Sequence, residues 1–244
     1  MRRLIIAFVG LVFVISAGFA VAMSGTGNQT YSWRYKMTVT VETPEGEVSG
    51  SAVREMSNST PLISLPDVGN PASVRGEAVV VNMGERGVLF ALVSHESDNR
   101  FYRAFRHLWE KGGATPEGIK FYASMPVGTK GELSPYRWPG YPKLVTFKDM
   151  NDPKSVTLAQ EWVIPGGKKP LELKADHMEE LFGEGVRLKD IVLEITDEPV
   201  TWGEVDQYLP DSFHEVIVKN WRSLTNDEQR RLFQIVTFKQ GEPR

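Results

Sequence analysis

At 244 residues, with 41% hydrophobic and 24% charged content, the chain has the make-up of a folded protein with one substantial core or two small ones, and disorder is excluded as the default. It contains no cysteine, which removes disulfides, thiolate metal sites, a cysteine nucleophile and a lipid-modified cysteine anchor. Its 28 Lys and Arg against 31 Asp and Glu give a net charge of −3. Without Arg2 and Arg3 that charge is about −5, so no nucleic-acid partner is expected.

Met1, Arg2 and Arg3 precede an apolar run from Leu4 to Met23, LIIAFVGLVFVISAGFAVAM, a basic n-region followed by a hydrophobic segment. Ala20, Val21 and Ala22 offer the small-x-small pattern of a cleavage site, while the run also approaches the roughly 20 residues that span a bilayer. Residues 1–23 are therefore read as a signal peptide or an N-terminal membrane anchor. The positive-inside rule holds Arg2 and Arg3 in the cytoplasm and delivers the rest to the periplasm, secreted or anchored to the inner membrane. A polar linker, 24–30, follows.

Trp33, Tyr35, Met37, Val39 and Val41 alternate with Arg34, Lys36, Thr38, Thr40 and Glu42, the period of a half-buried strand. TPEGE supplies a turn, and Val48 to Met56 returns as the second arm of a hairpin, with Gly50 and Ala52 marking thin places or a bulge. A second hairpin is predicted from SVRGEAVVVNM and GVLFALVS, with Gly84 and Gly87 free to take positive φ. Its continuous apolar runs imply burial on both faces.

The period then changes. Asp98 to Lys111 reads as a helix with Phe101, Phe105, Leu108 and Trp109 on one face, Asp98 as cap and Gly112 and Gly113 as stop. Arg100, Arg103, Arg106, His107 and Lys111 take the other face. Such a basic amphipathic helix either packs on a sheet or docks on an anionic membrane surface or acidic partner.

From Ala114 to Pro153 the chain is turn-rich, with short strands predicted at Ile119 to Ser124 and Leu144 to Phe147. SVTLAQEWVI reads as a further strand. DHMEELFGEGV reads as a short helix, with Asp176 and Glu179 spaced as a capping box and Gly183 as the stop. RLKDIVLEITDEP is the last strand, and the pattern from Asp211 onward, with Thr225 and Glu228 in capping-box spacing, is helical. VTFK occurs at Val145 to Lys148 and at Val236 to Lys239 with unmatched flanks, a coincidence rather than a repeat.

The expected architecture is α+β: a β-rich single domain, 31–210, built from antiparallel hairpins with a few short helices, an N-terminal signal or anchor helix, and a helical C-terminal tail, 211–244.

No G-x-S-x-G, H-E-x-x-H, S-x-x-K or G-x-x-x-x-G-K-[ST] motif is present, and GGKKP at Gly166 to Pro170 lacks the rest of a phosphate loop. No cofactor or metal is assigned. Two surfaces are candidates for contact with a ligand or partner. One is the Arg103 and Arg106 side of the basic helix; the other is PYRWPGYP, where Tyr136, Trp138 and Tyr141 stand between prolines as stiff aromatic faces for a glycan or a Pro-rich peptide. The plainer reading of PYRWPGYP, and the one favoured, is a stiffened crossing loop whose aromatics fill the core beneath. His95 beside Glu96 and Asp98 is the one acid–base or metal-binding constellation, although carboxylates ahead of a helix are expected from its dipole alone.

The segments WRYKMTVTVETPEGEVSGSAV, GEAVVVNMGERGVLFALV, YPKLVTFKDMNDPKSV and FGEGVRLKDIVLEITDEPVT resemble a family of proteobacterial proteins that are signal-bearing or membrane-anchored and have no assigned activity. The likeness runs from Tyr31 to Thr201 and implies a bacterial envelope protein, without implying site residues. The expected function is a noncatalytic binding module whose partners are envelope proteins, glycan or the inner-membrane surface. The alternative is a hydrolase of envelope polymers using His95 with Glu96 or Asp98.

Overall fold

The computed structural model describes residues 29–60, 72–93, 99–109, 115–167, 170–209, 225 and 238–241. The period-two pattern produces a long hairpin, β1 (Gln29–Thr43) and β2 (Gly46–Thr60), in which Val41 pairs with Val48 and Met37 with Ala52. Trp33, Tyr35, Met37, Val39 and Val41 are buried, and the residues between them face outward. That outer face carries Arg34 beside Glu55, Lys36 on Glu198, Arg187 on Glu42 and Lys189 on Glu47. Exposed pairs of this kind contribute about 0–1 kcal/mol each, so the buried face, not the charged one, holds the hairpin.

The predicted second hairpin is divided between two sheets. β3 (Ala72–Glu77) joins β2, whereas β4 (Val79–Asn82) turns through a short 3-10 segment, Gly84–Arg86, into β5 (Val88–Ala91). Gly84 and Gly87 take positive φ, 64° and 106°, as expected. β6 (Lys130–Glu132), β7 (Leu144–Phe147), β8 (Val156–Leu158), β9 (Gln160–Val163), β10 (Glu172–Asp176), β11 (Arg187–Thr196) and β12 (Lys239–Gln240) complete the described strands. They form a six-stranded sheet in the order β12-β3-β2-β1-β11-β6, a four-stranded sheet β4-β5-β7-β8 and the ribbon β9-β10. All pairs are antiparallel. The β-rich, antiparallel part of the expectation therefore stands.

The four-stranded sheet is covered on both faces, as its apolar runs imply. Val79, Val81, Leu89 and Ala91 join the core under the large sheet; Phe90, Val145, Phe147 and Val156 face a second cluster with Val205, Leu209 and Phe238. Hence SVTLAQEWVI is not one strand. Its halves, β8 and β9, belong to different sheets, with buried Ala159 at the break.

Three helices are described: α1 (Asn99–Ala104), α2 (Pro116–Ala123) and α3 (Met178–Phe182). α2 replaces the strand predicted at Ile119 to Ser124. Thr115 accepts a hydrogen bond from the Gly118 N–H at 3.1 Å, Pro116 stands in the first turn, and Ile119 and Tyr122, three apart, are the buried pair. The alternation of Ile119 and Phe121 is outweighed by this cap. α1 is shorter than predicted, passing into turns over 105–108, and Leu108 is 43% exposed rather than on the buried face. The departure brings Trp109 onto Phe121, stacked at 5.0 Å. In α3, Asp176 accepts from the Met178 N–H, but Glu179 reaches the Gly185 N–H beyond the helix instead of closing a capping box.

No helix among the described residues is long and apolar enough to cross a membrane. The segment 1–23 and the predicted tail helix fall outside the described residues. The chain re-enters them as β12 on the edge of β3.

Candidate functional site

The site is built where α1 meets β6. Phe101 and Phe105 are fully buried, seating α1 on the core through contacts with Trp33, Tyr35 and Tyr122. Gly131, in the middle of β6, permits the approach: a Cβ there would lie 2.6 Å from the Ala104 carbonyl oxygen. The end of α1 is thereby held against β6 with no side chain between them.

From β6 the chain continues along β11, Leu133 donating to the Ile191 carbonyl at 2.9 Å, and then turns over Ser134 to Gly140. The turn is tied internally by the Gly140 N–H on the Arg137 carbonyl, 2.7 Å, and outward by the Leu171 N–H on the Tyr136 carbonyl, 3.1 Å. Gly140 has φ 74°, a conformation that glycine takes without strain.

Between the end of α1 and this turn lies a cleft of about 580 Å³. Arg103, Ala104, Arg106 and His107 form one wall; Glu132, Leu133, Ser134, Arg137 and Gly140 form the other. Its size falls within the range of small-molecule sites. Arg106, His107, Arg137 and Glu132 are exposed and Arg103 is half-buried. Two stretches read separately in the sequence are thus one surface. Arg137 was not singled out there, because a lone basic residue among prolines carries no signal until α1 is placed opposite it.

The aromatics of the loop are not among the residues that line this cleft. Tyr136 is 59% exposed and Trp138 46% exposed, so the expectation that the loop's aromatics fill the core fails for both. Tyr136 and Tyr141 each meet Trp162 edge-on, at 5.6 and 6.2 Å. Tyr141 alone packs on the core, and burial, reinforced by the charges of Glu132 and Asp190, pushes its hydroxyl up to about 12. It remains a neutral donor at physiological pH.

A smaller cleft of about 280 Å³ is lined by Lys148, Lys154, Thr157, Glu161 and His177. Glu161 is occupied there by Lys174 at 2.7 Å, and His177 lies 3.1 Å from Glu180. His95, Glu96 and Asp98, the alternative acid–base or metal set, lie outside the described residues. Among the described residues no three His, Asp or Glu side chains are grouped to hold a metal ion.

No family model, no curated protein and no solved structure matches the chain.

Proposed function

We propose that this chain is a noncatalytic binding protein of the bacterial cell envelope, delivered across the inner membrane by residues 1–23 and either released to the periplasm or held at the membrane. In this reading 31–210 is a single β-rich domain and 211–244 a helical tail. The basic n-region, the apolar run behind it and the resemblance over Tyr31 to Thr201 support the location. One observation carries the binding role: Arg103 on α1 and Arg106 in the turn just after it share a cleft with the Ser134 to Gly140 turn, which also exposes Tyr136 and Trp138 to solvent. Fixed aromatics and unburied arginines side by side are the composition of a contact surface.

Mild crosslinking of the intact envelope, followed by purification in detergent through a C-terminal tag, tests this reading. The full chain is expected to retain a stoichiometric envelope protein or glycan. A folded variant with Trp138→Ala and Arg106→Ala is expected to lose it. Equal retention by both proteins would remove the binding role from this surface, and no companion with either would remove the envelope partner.

A further inference from the structure

Four described surface arginines of this chain are matched by a carboxylate. Arg34 and Arg75 flank Glu55, at 3.7 and 3.4 Å; Arg86 clamps Glu45 through two nitrogens at 2.9 and 2.7 Å; Arg187 is on Glu42. Arg103, Arg106 and Arg137 differ. They converge on one cleft from two segments some thirty positions apart, and among the described residues none of them makes an ion pair. The cleft's one carboxylate, Glu132, pairs with none of the three. Among the described residues the cleft thus sets three arginines against one carboxylate, an excess of positive charge that an anion bound there offsets.

Geometry selects the anion. A guanidinium offers its donors as a planar fork, and a single carboxylate is satisfied by one such fork. A phosphate monoester, with three free oxygens and close to two charges, has acceptors for several forks at once. Glu132 accepts but cannot donate when ionised, so it repels phosphate and welcomes hydroxyl groups. The volume of about 580 Å³ exceeds what a bare phosphate fills.

Resting on the binding role proposed above, the geometry points to the cleft between α1 and the Ser134 to Gly140 turn as a site for a sugar phosphate. Arg103, Arg106 and Arg137 hold the phosphate monoester and Glu132 takes a ring hydroxyl. The same group occurs on a soluble sugar and as the headgroup of a glycolipid, and the site reads the group rather than what carries it.

The test uses the full chain in a neutral detergent, with an Arg106→Gln, Arg137→Gln variant beside it. Both side chains are exposed, so the variant is expected to melt with the wild type. Calorimetric titration with glucose 6-phosphate is expected to saturate, glucose to give no binding, and glucuronate to bind at least about tenfold more weakly than the phosphate. The variant is expected to lose about tenfold or more in affinity for glucose 6-phosphate. Flotation on neutral vesicles with and without monophosphoryl lipid A separates the two sources. Both proteins carry the same N-terminal segment, so a wild-type preference for the doped vesicles that the variant lacks assigns the glycolipid, and soluble binding alone assigns the free sugar. Binding of neither probe, equal binding of glucuronate, or an unchanged variant would overturn the proposal. Absence of an envelope companion with phosphate binding intact would instead count against the envelope role alone.

Discussion

Glu77 has no exposed surface, yet its carboxylate accepts from the backbone N–H groups of Gly203 and Glu204, at 3.0 and 2.9 Å, and at 3.5 Å from that of Val205. It pins the 203–205 turn to the end of β3, opposite Lys239 of β12. The three N–H groups favour the ionised carboxylate, but burial outweighs them and raises its pKa above the ordinary 4.5. The sign follows from linkage: a carboxyl whose folded pKa is raised contributes stability that is fully present below its unfolded pKa and is lost as pH rises through the folded one. Chemical denaturation across pH 4 to 8 is therefore expected to show the advantage of wild type over Glu77→Gln shrinking as pH rises above about 4.5. An advantage that is constant or grows over that window would mean that the N–H groups, not burial, dominate. Arg54 is the companion case, fully buried and donating to the carbonyls of Glu77 and Ala91, each at 3.0 Å, so that one side chain ties β2 to β3 and β5. Neither residue was legible in the sequence. A charge in an alternating strand looks solvated until its register shows that it points inward.

The β1–β2 hairpin was legible as an element, because alternation over ten residues admits one period and one buried face. Gly50 shows that its finer marks were legible too. The thin place expected there is a near-contact with β4, for a Cβ at Gly50 would fall 1.8 Å from the Val80 carbonyl oxygen. Relief would require the two sheets to separate, since the obstacle is backbone rather than a flexible side chain. Gly50→Ala is expected to lower unfolding stability by at least about 3 kcal/mol in urea titration, at the upper end of overpacking costs. A loss under about 1 kcal/mol would mean that the sheets are not so closely packed. Elsewhere the elements were misread for identifiable reasons. The run from Ser73 to Met83 reads as one strand, and its one mark of a break, Gly76 with φ 138° two residues before Ala78, does not by itself say that the chain leaves one sheet for the other. For α2, the start signal lies in Thr115 and Pro116, ahead of the apolar residues that read as a strand.

At the scale of the whole molecule, a four-stranded sheet is sandwiched between the core beneath the large sheet and a second core closed by Val205, Leu209 and Phe238. The second VTFK contributes to that closure, since Phe238 lies 5.9 Å from Phe147 of the first. One edge of this assembly, where α1, β6 and the Ser134 to Gly140 turn meet, carries the cleft; the outer face of β1 and β2 is covered by paired charges. Half of the candidate site was legible, as a basic helix face and an aromatic loop. Their union depends on Gly131 and on the turn after β6, which are tertiary facts. The central claim is that this edge, and not the paired face, meets an envelope component. A photoreactive amino acid placed at Ser134 in the cleft, with the same residue at exposed Ser51 on the opposite face as control, tests it in intact cells. The account predicts a discrete adduct from Ser134 on irradiation and none from Ser51. Adducts from both positions alike, or from Ser51 only, would contradict it.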